Sequence, residues 1–397
     1  MLFSFDLKSS FLLIFFVHGA VFSIVLLIKG LKTGNKSSLW LSLFTFLCAL
    51  YIAPFMLGYA GWYARQPYRD ILFYIPFQQL FLLPPVLYFY IRTLLDKSFH
   101  FARKDYWHFA PAILYFCYCL VMVLNDQVFS NTFQFYADGR DKDFSSWYQI
   151  SGVIFMAFYL TQSLRIYNQY RSISYNVLSF ADQAMFRWAK RYLWAFLILI
   201  GIRLIFFVIN PEWDEFGRKF WYYLSFSLLF YYVSISGFAN TLLTTSPFKD
   251  VPLDFEKDKE FEKETMISKS AETDGHEKQD IHDLAAWKDK VEALMLKEKL
   301  FENPALMLTD LSMKLDTNSK TISQVINQGF NMNFNDFVNH YRVNAIRSKI
   351  EAGEHQVKTL LGLALECGFN SKSTFNRAFK RATNLTPKEY IEKQPSK

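Results

Sequence analysis

The sequence predicts an all-α protein in two parts: a seven-helix transmembrane bundle, then a cytoplasmic all-helical domain with two helix-turn-helix units. Three observations carry this prediction. Before residue 246 the chain holds seven apolar stretches, each long enough, or nearly so, to cross a bilayer, which takes about 20 residues. After residue 284 the apolar residues fall at helical spacing instead of in runs. Between them lies a charged segment with no apolar period. The net charge of +7 hides the same division. Residues 1–248 carry 20 Lys and Arg against 12 Asp and Glu, residues 249–283 carry 6 against 12, and residues 284–397 carry 17 against 12. The predicted organisation is a membrane and sensor domain over 1–246, an acidic linker over 247–283, and a basic domain over 284–397.

The apolar stretches run roughly Phe11–Leu31, Leu39–Tyr59, Ile71–Leu95, Ala110–Leu124, Trp147–Tyr167, Tyr192–Ile209 and Phe220–Leu243. The first is too long for a signal peptide and has no small-residue cleavage site, so it reads as a retained span. Tyr and Trp, such as Trp40, Tyr59, Trp147 and Trp221, mark the ends of these stretches as an interfacial belt does. With the N-terminus outside, the inner loops hold 12 Lys and Arg and the outer segments 7. That bias places the N-terminus outside and, with an odd number of spans, the C-terminal domain in the cytoplasm.

Few residues inside the spans carry chemistry. Arg203 lies near the middle of the sixth stretch, and no Asp or Glu within the spans is there to pair with it. Either it receives an anionic ligand, as a sensor residue would, or it snorkels and bonds within the bundle. His18 reads as a packed, hydrogen-bonded residue. Pro76, Pro84 and Pro85 predict a kinked third span. The segment Asn125–Ser146 is the longest outer one and is where an envelope partner would bind. Arg171–Arg191 is too polar to span and reads as a helix on the inner membrane surface, through Leu178, Met185, Phe186 and Trp188. The four cysteines are too few and scattered for a disulfide framework. The linker, with Lys257-Asp-Lys-Glu-Phe-Glu-Lys-Glu264, reads as solvated chain.

In the basic part, Leu284, Trp287, Val291, Leu294 and Met295 form one stripe. Leu308–Leu315 reads as a helix capped by Thr309, Asp316-Thr-Asn318 as a turn, and Ser319–Asn327 as a second helix with Ile322, Val325 and Ile326 inward. This first helix-turn-helix leaves Lys320, Ser323 and Gln324 free. A helix over Asn335–Glu351, ended by Gly353, joins it to a second unit. There Leu360, Leu361, Ala364 and Leu365 form an apolar face, Gly368 supplies the positive φ of the turn, and Asn370 caps the next helix. Phe375, Ala378 and Phe379 face inward, while Lys372, Ser373, Asn376 and Arg377 stay free. A short helix with one buried side and a row of such side chains is suited to reading base edges in the major groove. Thr386-Pro-Lys-Glu389 starts the last helix with a capping box. Lys358, Lys380, Arg381 and Lys388 are read as phosphate contacts. Arg342 and Arg347 in the joining helix could touch phosphate, but salt bridging within the domain is the preferred reading.

The run Leu363-Ala-Leu-Glu-Cys-Gly-Phe-Asn-Ser-Lys-Ser-Thr-Phe-Asn-Arg-Ala-Phe-Lys380, followed by Leu385-Thr-Pro-Lys-Glu-Tyr390, resembles the AraC/XylS family of bacterial transcription regulators. The resemblance covers about Leu284–Tyr390. It implies a seven-helix domain with two recognition helices in successive major-groove segments. It also implies a bacterial cell, with the inner membrane as the one that tethers the chain. It places base reading on Lys320, Ser323 and Gln324 and on Lys372, Ser373, Asn376 and Arg377, with Gly368, Phe369 and Pro387 as turn and packing residues. Two departures stand out: Asn384 replaces the Gly usual before Leu-Thr-Pro, and Ser312 replaces a small Ala. Asn tolerates the left-handed conformation, and Ser can bond back to a carbonyl. Where the family often carries a soluble ligand-binding barrel, this chain has its apolar stretches.

The expectation is therefore a membrane-tethered regulator that binds specific double-stranded DNA and responds to a signal in the bundle. Its further partners on this reading are the lipid bilayer, a small anionic ligand or envelope protein, a second copy of the chain, and RNA polymerase. The alternative is a transporter or channel with a regulatory helix-turn-helix domain. An enzyme is not expected: residues 247–397 hold five Gly, none in a phosphate-cradling loop, and no catalytic group or metal-ligand set is visible. No cofactor is expected either.

Overall fold

The computed structural model describes residues 5–96, 99–130, 142–209, 219–242 and 284–393. Every regular element among them is helical, apart from one isolated bridge between Leu178 and Met307. Chain contacts divide the molecule into two compact units: Met1–Tyr167 with Phe186–Thr245, and Asn168–Met185 with Ser246–Lys397.

In the first unit the helices are α1 (Leu7–Thr33), α2 (Lys36–Tyr59), α3 (Tyr68–Leu72), α4 (Leu83–Leu95), α5 (Ala110–Leu124), the early part of α6 (Ser146–Val177), α8 (Arg187–Ile209) and α9 (Phe220–Leu242). Asp6 caps α1 by accepting from the Ser9 amide at 2.8 Å, and Asn35 caps α2. Small residues let helices approach closely: a Cβ at Gly19 would lie 2.8 Å from that of Ala49, and one at Gly237 2.4 Å from Leu41. The core is aromatic, with Tyr51, Phe55, Tyr223 and Phe226 packed ring to ring. His18 bonds Ser234 Oγ through Nε2 at 2.7 Å.

Three helices among the described residues are long and apolar enough to cross a membrane: Leu7–Thr33, Lys36–Tyr59 and Arg103–Phe129. Leu83–Leu95 is a shorter apolar helix. This is fewer than the seven expected. The third stretch is not one kinked helix. It breaks after α3 and resumes at α4, with Pro84 and Pro85 in the first turn, where a missing N–H costs nothing. α6 has the length, at 32 residues, but its second half turns polar from Gln162 onward.

Around the break in the third stretch a buried polar cluster forms. Asp143 accepts from the Gln78 amide at 2.9 Å and from the Tyr115 hydroxyl at 2.5 Å. Lys142 donates to the Phe73 carbonyl at 2.9 Å. Lys142, one of the seven Lys and Arg of the outer segments, is buried, with Nζ 4.0 Å from Asp143 Oδ1. Arg203 falls in α8, and its side chain lies outside the described residues. So do the linker 247–283 and residues 131–141 of the segment Asn125–Ser146.

Arg171–Arg191 is not one surface helix. It comprises the end of α6, a turn, the short helix α7 (Ala181–Ala184) and the start of α8. Leu178, Phe180 and Ala181 are buried against Ala305 and Met307. Of the side chains expected to meet lipid, Leu178 is thus covered by protein, while Met185, Phe186 and Trp188 are half-buried.

Candidate nucleic-acid interface

The second unit holds α10 (Leu284–Lys297), α11 (Leu308–Lys314), α12 (Ser319–Gln324), α13 (Phe334–Glu351), α14 (Leu360–Glu366), α15 (Lys372–Thr383) and α16 (Pro387–Glu392). α13 serves two cores. Its first half gives Phe334, Phe337, Val338 and Tyr341 to a cluster with Val291, Met295, Ile322 and Ile326. Its second half gives Val343, Ile346 and Ile350 to a cluster with Ala364, Phe369, Phe375 and Phe379. One helix thus sets the position of both helix-turn-helix units.

In the second of these, α14 and α15 are joined by a turn at Gly368, whose φ is +87°. A Cβ there would meet the Phe301 carbonyl oxygen at 2.2 Å, so the turn requires Gly for its space as well as its conformation. Phe369 is buried behind it. Ser371, not Asn370, caps α15 by accepting from the Thr374 amide at 3.3 Å. Asn370 instead donates to the Pro304 carbonyl at 2.8 Å. The apolar face of α14 is also rotated from expectation: Leu363, Ala364 and Cys367 are buried, while Leu361 and Leu365 are exposed. On α15, Phe375 and Phe379 are buried and Lys372, Ser373, Asn376 and Arg377 are exposed. Arg377 forms an ion pair with Asp182.

The first unit is built less openly. α11 begins after Met307, whose amide donates to Asp310 Oδ2 at 2.8 Å; Thr309, expected as the cap, lies inside the helix. Ser312 is buried and donates to the Thr309 carbonyl at 2.9 Å, the back-bond its position requires. α12 spans only six residues, capped by Asn318, and runs into a π turn over Val325–Gly329. Lys320 and Gln324 are half-buried. Ser323 is buried and accepts from Asn327 Nδ2 at 3.2 Å, so its hydroxyl does not join an open face.

The cations expected at phosphates differ in setting. Lys380 and Arg381 are exposed, and Arg381 pairs with Asp336 at 2.7 Å. Lys388 lies 3.8 Å from Glu392, and Lys358 bonds Glu366 at 2.8 Å. Lys349 and Lys358 together hold the Glu366 carboxyl down to about 2. Arg342 is not a salt bridge. It is buried on α13 and donates to the carbonyls of Phe301 (2.8 Å), Asn303 (2.8 Å) and Ser179 (3.3 Å). Burial draws its guanidinium down to about 9, which leaves it charged at neutral pH. Arg347 donates to the Tyr390 hydroxyl at 3.2 Å. The last helix starts as read: Thr386 accepts from the Glu389 amide, Glu389 accepts from the Thr386 amide at 2.7 Å, and Pro387 is buried. Asn384 takes the left-handed conformation at φ +59°.

Residues 311–393 match the family model of a helix-turn-helix domain. Comparison with curated proteins and with solved structures gave no match. The matched segment covers the second unit whole and the first from within α11 onward, ending just past α16. It supports a DNA-binding transcription regulator of the AraC type with double-stranded DNA as its partner. The sequence reading missed one contributor to this surface, Asp182, which lies far away in the chain. Its only sequence signal is being the single acidic residue of 151–200.

Proposed function

We propose that the chain is a membrane-tethered bacterial transcription regulator that reads specific duplex DNA through α15, with α12 in a supporting role. The observation that carries this reading is the exposed row Lys372, Ser373, Asn376 and Arg377 on a well-capped helix inside the matched domain. Arg is suited to two acceptors of guanine, and Asn to adenine. Lys380 and Arg381, one turn further on, supply charge for phosphate. The apolar helices of the first unit support a bilayer as the second partner; seven spans, the N-terminus outside and the C-terminal unit on the cytoplasmic side of the inner membrane rest on the apolar stretches and the Lys and Arg bias of the sequence. A signal at the bundle, an anionic ligand at Arg203 or an envelope partner, would act by favouring one of two states of the protein. Dimerisation and contact with RNA polymerase complete the reading.

The test is sequencing of DNA bound to the native protein in cells. A recurrent enriched site is the expected result. Its absence favours the transporter or channel alternative, for which the long apolar helices are the supporting observation. Topology is tested separately by cysteine labelling from each side of the membrane, where Lys8 and Lys388 variants to Cys should label from opposite sides.

A further inference from the structure

We infer that one face of the recognition helix α15 is a docking surface for residues 168–185 of the same chain, and that this docking opposes DNA binding. The inference rests on the reading of Arg377 as a base contact. Residues 168–185 lie in sequence between the fifth and sixth apolar stretches, yet they fold as part of the DNA-binding unit. They are held firmly. Leu178, Phe180 and Ala181 are buried, and the Ser179 amide donates to the Leu306 carbonyl at 3.2 Å. Asn335 donates to the Ser179 carbonyl at 2.8 Å, and Arg342 NH2 donates to Ser179 Oγ at 3.2 Å. Asn335 and Arg342 are themselves buried, so the segment supplies acceptors that these donors require in place of water.

The docked segment places a carboxylate where DNA acceptors must come. Asp182 is nearly buried; the Tyr175 hydroxyl donates to its Oδ1 at 2.9 Å, and Arg377 pairs with its Oδ2. A polar groove of about 730 Å³ lies alongside, lined by Ser172, Tyr175 and Asp182 of the segment and by Thr374, Arg377 and Arg381 of α15. Thr374, Arg377, Ala378 and Arg381 recur at helical spacing, so a whole face of α15 borders the groove. The ion pair alone is weak, because the Arg377 side chain is half exposed. The apolar burial and the bonds to Ser179 fix the carboxylate in place. A duplex acceptor reaching Arg377 must displace Asp182 from it. An event that undocks residues 168–185 therefore frees the reader.

The experiment uses the full chain in lipid nanodiscs and the duplex that this protein enriches from a random-sequence pool. Asp182→Asn is expected to tighten binding of that duplex by about fivefold or more, within the usual range of coupling between sites. In unsubstituted protein, saturating duplex is expected to speed hydrogen exchange at the Ser179 amide, a readout that needs no variant to fold. Unchanged affinity in Asp182→Asn overturns the inference, and so does an unchanged Ser179 exchange rate. Arg377→Ala separates the two levels. If it weakens binding while Asp182→Asn does nothing, DNA reading stands and the opposing contact falls. If Arg377→Ala leaves binding and base preference unchanged, the reading of Arg377 falls first.

Discussion

The two helix-turn-helix units share a motif and differ in what they offer. In the second, a twelve-residue helix is capped by Ser371 and presents four polar side chains outward. In the first, a six-residue helix passes into a π turn, and of its three candidate readers Ser323 is buried and two are half-buried. Their turns differ as well. Gly368 sits at φ +87° against a carbonyl, whereas Asp316 takes the corresponding left-handed turn at φ +50° with its side chain exposed. Matching residue types at matching spacing therefore do not guarantee matching exposure. The local winding of a helix decides which side chains reach a groove.

The contrast can be broken or sharpened by substitution. The largest effect is expected for Gly368→Ala, which combines strain at a positive φ with a clash against Phe301. It should destabilise the second unit by roughly 3 kcal/mol, read from urea unfolding, while Asp316→Gly in the first should be close to neutral. Next, Arg377→Ala should weaken specific DNA binding by about 1–3 kcal/mol and relax preference at one base pair. Gln324→Ala in the first unit should cost under about 1 kcal/mol by the same titration; an equal loss from both would show the units to be equivalent readers. Ser371→Ala removes the cap of α15 and should cost about 1 kcal/mol of stability, more than Thr309→Ala, which removes no cap. The smallest effect concerns acid. Lys349 and Lys358 hold Glu366 near 2, below its ordinary 4.5. A carboxyl depressed on folding stabilises above its unfolded value and loses that contribution as pH falls. The second unit should therefore weaken between pH 4.5 and 2, and Glu366→Gln should flatten that part of a pH–stability profile.

Much of the C-terminal unit is legible in the chain because its signals are local. The capping box at Thr386, the left-handed Asn384, the positive φ at Gly368 and the back-bonded Ser312 each depend on a few neighbouring residues. Failures occur where distant segments decide. Asn370 does not cap α15 because the Pro304 carbonyl takes its amide. Arg342 finds carbonyls instead of carboxylates because it is enclosed by residues 301–303 and 179. The rotation of α14 follows from the core it meets, not from its own repeat. In the first unit of the molecule, length and hydropathy pointed to continuous spans. The break at residues 73–82 is stabilised by Asp143 and Tyr148, which bond the backbone there from well over 60 residues away.

Residues 301–304 are tied to the second unit's turn and to α13: Arg342 bonds the carbonyls of Phe301 and Asn303, Asn370 bonds that of Pro304, Gly368 closes against Phe301 and Glu302, and the Phe301 ring stacks on Tyr341. This short segment leads into α11, so the first reading unit is bolted to the turn of the second. The pair behaves as a gauge of fixed width. An operator lengthened by one base pair between its two contact sites would turn one of them by about 35° around the duplex axis. On the proposed reading, the DNA would then have to twist, the protein to deform, or one of the two contacts to be given up.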